Sequence, residues 1–275
     1  MKIITTKYAV VGVVEAILLI ALFAIILSTI QLIYVPQLME NREAEHMDTV
    51  ANQISQLKFA VDLYAITENN ASFISIPLTL GSRELPYLIT ARALGTVSVL
   101  DNTTTIVVNS SSQNSTFKLG SIRYEANNAY YEKQWYIFEN GAIIVTQQTT
   151  QSMRVPPSLS SHLTGSNLDI YLTVVNITPY AGRTSASGCD NTYIRVNYSS
   201  SSSYNFIDVS RFRIVTDYPY AWFTFLNETL NKNAVTVVRQ PNYVEVTPKA
   251  GYAVDISMNV IKIYAQTGLG WIGQM

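Results

Sequence analysis

Few residues of this 275-residue chain have the type and spacing that chemistry requires. Gly268, Gly270 and Gly273 reproduce G-x-G-x-x-G, the pattern of a loop that cradles a dinucleotide phosphate. Only Gln274 and Met275 follow, so no phosphate-binding helix opens there, and the segment is expected to be a flexible aromatic tail. Cys189 is the single cysteine, which excludes a disulfide or a cysteine metal site within one chain; a small buried residue is expected. His162 is the only histidine beyond the N-terminal segment, and residues 182–188 hold no nucleophile elbow, so a serine triad has no signature. Asp101, Asp190 and Asp208 lack the spacing of a calcium loop. Paired carboxylates for glycoside hydrolysis meet only in a fold, and the sequence leaves them open. The reading is of a protein that is not an enzyme, with no cofactor and no metal.

The remaining chemically informative residue is Glu15. It is the single charge in a continuous apolar run over residues 9–35. That length suits a bilayer, which needs about 20 apolar residues as a helix, and exceeds the apolar core of an ordinary secretory signal. A carboxylate carried into hydrocarbon costs a few kcal/mol or more, so it either reaches back to the headgroups near Lys7 or serves assembly. In a bundle of such helices it would pair with a neighbour's free α-amine and set axial register. Lys2 and Lys7 precede the run, and Glu40, Arg42, Glu43, Glu45 and Asp48 follow it. This asymmetry places the N-terminus in the cytoplasm and the rest outside, with the membrane as a partner. A net charge of −1 argues against a nucleic-acid partner.

The element that must carry Glu15 is one long helix. Pro36 falls near the outer boundary of the apolar run and is expected to bend the helix without ending it. Beyond it Met47, Val50, Ile54, Leu57, Val61 and Tyr64 recur at helical spacing, with Glu43, Glu45, Asp48, Asn52, Gln53, Gln56 and Lys58 between them. The stripe predicts a helix over 7–67, roughly 90 Å long at 1.5 Å per residue, packed on the chain's own β structure or on a neighbour's helix. His46 is expected on its solvated side.

From residue 68 onward short alternating runs and turn residues read as a β-rich domain, giving an α+β chain. It divides into a basic leader (1–9), the hydrophobic then amphipathic helix (10–67) and the β domain (68–275). Twelve strands are expected, over 72–80, 96–100, 104–108, 118–124, 130–139, 142–148, 168–177, 193–198, 204–215, 235–239, 243–247 and 253–264. They favour a mostly antiparallel sandwich or strongly curved sheet. Asn140-Gly141 is the clearest hairpin turn, the serine tracts 110–112 and 199–203 read as loops, and Asp217 is placed to cap a short helix opening at Pro219. On that helix Trp222, Phe223, Leu226 and Leu230 share a face. Tyr124, Tyr130, Tyr131, Trp135, Tyr136 and Phe138 cluster, either as core and cross-strand pairs or as a platform for sugars or surfaces. Asn70, Asn102, Asn109, Asn114, Asn176, Asn197 and Asn227 head Asn-x-Ser/Thr sequons and are candidate N-glycosylation sites, consistent with an exterior domain.

The stretch KYAVVGVVEAILLIALFAIILSTIQLIYVPQLMENREAEHMDTVANQISQL resembles archaeal type IV pilin-like proteins with class III signal peptides. The resemblance implies a short leader cut before the apolar helix, here after Ala9 or after Val10. Glu15 would then stand sixth or fifth in the mature chain, the fifth position being usual in pilins. The segments SIRYEANNAYYEKQWYIFENGAIIVTQQ, SASGCDNTYIRV and DYPYAWFTFLNETL resemble a group of uncharacterised archaeal membrane-anchored proteins. Together these imply a subunit of a type IV pilus-like surface filament, made of identical copies, with other pilin-like subunits as further partners. Its helices would bundle in the core, with Glu15 setting register and Pro36 allowing the bend. Its β domains would face outward for adhesion or contact with surface glycans. The alternative is a non-filamentous surface protein held by an uncleaved transmembrane helix.

Overall fold

The computed structural model describes residues 4–68, 72–81 and 93–268, with side chains from Val11 onward. The helical rod is continuous: α1 (Ile4–Thr29), one π-helical turn (Ile30–Tyr34) and α2 (Val35–Thr67). Pro36 explains the π turn. It has no N–H, and its ring crowds the carbonyl four residues back. The ladder accommodates this by widening, so that the Val35 N–H bonds the Ile30 carbonyl five residues earlier. At the far end Glu68 turns left-handed (φ 47°) and its N–H closes on the Tyr64 carbonyl.

Fourteen strands follow: β1 (Ile74–Thr79), β2 (Leu94–Ser110), β3 (Asn114–Asn127), β4 (Gln134–Glu139), β5 (Ala142–Gln147), β6 (Thr150–Val155), β7 (Leu159–Thr164), β8 (Asn167–Pro179), β9 (Ser185–Gly188), β10 (Asn191–Phe206), β11 (Val209–Val215), β12 (Val235–Gln240), β13 (Tyr243–Pro248) and β14 (Ala253–Thr267), with α3 (Pro219–Thr229) between β11 and β12. One sheet has the order β1-β10-β14-β8-β7. The other runs β12-β13-β11-β2-β3-β4-β5-β6, with β9 also paired to β2. Among the described pairings only β8 with β14 is parallel. Helix α3 packs against both β6 and β12, the two edge strands of the larger sheet, so that sheet curls until its edges meet one helix. The expected α+β class, with a mostly antiparallel β domain and a short helix, is the observed one.

Several strand expectations are corrected. The pieces at 96–100 and 104–108 are one strand, β2, irregular between Leu100 and Thr104, where Asn102 takes φ 52°. The serine tract 199–203 is strand, not loop. Ser200 to Ser203 pair with Lys262 to Asn259 of β14, a long neighbour whose ladder outweighs local turn preference. Strands β6, β7 and β9 carry so few apolar residues that alternation gives no sign of them. The Asn140-Gly141 turn is as expected, with φ of 51° and 81° joining β4 to β5. The cap expected of Asp217 is not formed: Tyr218 is the N-cap residue, the Tyr220 N–H in the first turn of α3 is accepted by Gln151 Oε1 of β6 at 3.1 Å, and Thr216 Oγ1 accepts the Tyr218 N–H at 3.0 Å just ahead of the helix.

Among the described residues two large apolar cores result, beside a small cluster of Val35 and Met39. One holds the α2 stripe from Met47 to Tyr64 against Ile76, Leu78, Val97, Ile122, Phe138, Ile177 and Ile263 of both sheets. The other joins Trp222 and Leu226 of α3 to Ile106, Leu119, Ile170, Leu172 and Ile256. The boundary falls at Gly120, between Leu119 of one core and Ile122 of the other. A Cβ there would stand 2.1 Å from the Ile177 carbonyl oxygen and 2.5 Å from that of Leu100, so only glycine lets the sheets cross this closely. Cys189 is half-buried rather than enclosed.

This packing makes α2 part of the head. Leu57 is fully enclosed while Phe59, two residues on, is 70% exposed. Leu57→Ala is therefore expected to lower unfolding stability by about 2–5 kcal/mol. Phe59→Ala should stay within about 0.5 kcal/mol of the parent in the same detergent-solubilised denaturant titration.

Candidate functional site

Between Val11 and Tyr34 no residue of the helix is buried. Fifteen large apolar side chains stand exposed there, Leu32 at 76% and Ile20 at 67%. Glu15 is exposed among them, and Pro36 lies just where burial begins, at Val35. The bare stretch measures about 36 Å at 1.5 Å per residue, against about 30 Å for a bilayer's hydrocarbon. The described helix is thus long and apolar enough to cross a membrane. Ala9 and Val10 lie within α1, but their side chains are outside the described ones.

Above this stretch polar side chains fasten α2 to the head. Glu43, expected between the stripe residues, is fully buried. Its carboxylate accepts the backbone N–H groups of Ala129, Tyr130 and Tyr131 at 3.1, 2.8 and 2.6 Å. These are charge-assisted bonds, the stronger kind, and they hold a turn before β4 where strand is expected from sequence. His46 is likewise enclosed rather than solvated. The Tyr124 hydroxyl donates to the Leu80 carbonyl at 2.7 Å, so its oxygen accepts from His46 Nε2–H at 2.9 Å, which assigns the neutral tautomer by its partners. The spacing does contain both residues. Glu43 precedes Met47 by four and His46 precedes Val50 by four, which puts each on the stripe's own face one turn earlier. Lys58 is also buried and pairs with Asp62 at 2.8 Å. Gln53 both accepts the Thr79 N–H and donates to its hydroxyl, and Tyr64 donates to the Ser72 carbonyl.

A second buried acid sits in the head. Glu139 Oε1 accepts from Trp222 Nε1 at 2.8 Å and from Thr216 Oγ1 at 2.7 Å, tying β4 to the start of α3. Burial raises its pKa, opposed by these hydrogen bonds. The aromatic cluster divides. Tyr124, Tyr136 and Phe138 are core, while Trp135 and Tyr130 stand 41% and 39% exposed.

Of the sequons, Asn102 and Asn114 are exposed, and Asn109, Asn176 and Asn227 are half-buried, with Asn176 Oδ1 accepting the Gly120 N–H. Asn197 is wholly enclosed, which leaves a glycan no room in this fold. Asn70 and the glycines Gly270 and Gly273 lie outside the described residues. Among the described residues no three of His, Cys, Asp and Glu are grouped to hold a metal.

Residues 92–260 match a family of unknown function, DUF7289, and the chain belongs to that family. The match runs from just before β2 into β14. No curated protein and no solved structure matches the chain.

Two of the buried ionisable groups, His46 and Glu139, give opposite pH dependences. Burial lowers the His46 pKa, opposed by the Leu80 carbonyl and the nearby Glu43 charge. The folded state then prefers neutral His46. The stability it supports is complete above the ordinary histidine value near 6.5 and is lost as pH falls from there through the folded value. His46→Gln is expected to flatten that loss in chemical unfolding between about pH 7.5 and about pH 5. Glu139 is raised, so its contribution is complete at low pH and is lost as pH rises through the folded value. Glu139→Gln keeps the acceptor for Trp222 and Thr216. It should gain on the parent as pH rises, with the two within about 1 kcal/mol near pH 5.

Proposed function

We propose that this protein is a pilin-like surface subunit, with α1 as membrane and assembly helix and the β head presented outside the cell. One observation carries the reading: the exposed apolar surface of residues 11–34, flanked by a basic leader on one side and a firmly fastened head on the other. Covering each large apolar side chain is worth about 1.5–3 kcal/mol, so fifteen of them together exceed the net stability of an ordinary domain. Such a surface needs lipid, neighbouring helices, or both in succession. Helices packed head-to-tail give a contact that does not close, and so a filament of identical copies.

Glu15 is the one charge on that surface and, in a filament core, pairs with the mature α-amine of a neighbour. The π turn and Pro36 lie between bare helix and head, where a subunit in a filament must bend or shift. Exposed Asn102 and Asn114 are the best placed glycan acceptors. A permanently anchored, non-filamentous surface protein is the second reading, favoured by the match between the bare length and one bilayer thickness.

Sequencing the N-terminus of surface material and imaging sheared filaments test the choice. A mature chain starting at Val10 or Val11 within filaments is expected. An intact Met1 with no filaments selects the permanent anchor. In filaments, Glu15→Ala should cut assembly about tenfold or more, the scale of leaving one charge unpaired in an apolar core; unchanged filament yield removes Glu15 from the mechanism.

A further inference from the structure

Trp135 is the most exposed tryptophan among the described residues, and it lies in a strand paired on both sides, where a large ring has no packing reason to face water. Cross-strand pairing sets it in a row. Ser187 of β9 pairs with Thr96 of β2, Thr96 with Glu125 of β3, and Glu125 with Trp135 of β4. Directly paired residues share a face, so all four side chains rise from the same side of the larger sheet. On the opposite side Val97, Tyr124 and Tyr136 are buried in the core that holds α2, so the row stands on a rigid floor.

The row is also pre-arranged. The Arg123 guanidinium lies 5.8 Å from the centre of the indole ring and pairs with the Glu125 carboxylate at 2.7 Å, fixing ring and acid relative to each other. The Thr96 and Ser187 hydroxyls bond each other at 2.8 Å. Trp135, Glu125, Thr96 and Ser187, together with Asn127 and Lys133, line a groove of about 570 Å³, within the usual range for small-molecule sites.

We infer that this groove binds a saccharide, a pyranose ring lying on the Trp135 indole while Glu125, Thr96, Ser187, Asn127 and Lys133 bracket its hydroxyl groups. One flat aromatic surface surrounded by short hydroxyls, an amide, an acid and an amine matches a ring with an apolar face and a polar rim. One acid and one amine line the groove, which suits a neutral sugar. A peptide fits less well. Strands β2, β3 and β4 are all paired on both sides, β9, whose described pairing is with β2 alone, offers an edge of only four residues for strand addition, and the groove has no enclosed apolar pocket for an anchor side chain. The inference rests on the outward-facing head proposed above, but binding in solution requires neither membrane nor filament, so its failure is separate from failure of that reading.

The test uses the full chain in a phosphocholine detergent, since sugar-headed detergents would compete. It is made in a host without N-glycosylation and titrated with cellobiose, maltose, mannobiose and N,N′-diacetylchitobiose. Saturable binding of at least one disaccharide is expected, followed by tryptophan fluorescence and calorimetry. Trp135→Ala should weaken it about tenfold or more and Glu125→Gln about threefold or more, with thermal unfolding unchanged. Tyr171→Ala, an exposed tyrosine on β8 of the smaller sheet, should leave it as it was. Glycosylated protein that self-associates only with Trp135 intact identifies the chain's own glycans as the source; a disaccharide hit on the unglycosylated chain without such association identifies an external one. Absence of saturable binding to any of the four, equal binding by Trp135→Ala, or Trp135-dependent capture of a polypeptide in place of sugar overturns the inference.

Discussion

The structure depends on the burial of one face of α2 between two β-sheets. Val50, Leu57 and Val61 are fully enclosed there, and the strands around them come from both sheets. The same rod continues downward as a helix whose surface the other described residues leave bare. A single element is therefore protein interior above Val35 and exposed apolar helix below it. The head cannot fold around a missing helix without opening its own core, so rod and head are mechanically one piece.

Polar contacts give that joint its register. A helix held only by apolar packing can slide or rotate at modest cost. Glu43 beneath three backbone N–H groups, and His46 bonded through Tyr124 to Leu80, admit one depth of insertion. Each group is buried, so displacement would strand it without water or partner. Below these fastenings the π turn ahead of Pro36 is a local loosening of the ladder, placed outside the fastened segment. Any force on α1 is thus passed to the head through α2, while change of direction is concentrated near Pro36.

The head solves a different problem. The fourteen strands among the described residues, with weakly charged surfaces, leave edges to protect, and the chain does so by curling the larger sheet until β6 and β12 both reach α3. Glu139 secures that closure from inside through Trp222 and Thr216. Gly120 allows the two sheets to pass within backbone distance, at the boundary between the two main cores.

Much of this is written locally. The apolar run and the stripe from Met47 to Tyr64 specify the rod, because helical periodicity is a property of neighbours in sequence. Asn140-Gly141 specifies its hairpin because positive φ is a single-residue preference. Pro36 marks the irregular turn because a missing N–H needs no tertiary context. Which polar residues lie inside is another matter. By residue type Glu43 and His46 read as solvated, although their spacing places them on the buried face. The serine tract at 200–203 becomes strand only because β14 runs beside it, and the strands β6, β7 and β9 exist through pairing alone. The row from Ser187 to Trp135 joins the consecutive strands β2, β3 and β4 to β9, with Ser187 91 residues beyond Thr96. Local sequence determined which segments are helical and which apolar, since those follow from near neighbours. Burial of charge, strand register and convergence of side chains were decided by tertiary structure, since they are set by partners that only folding brings close.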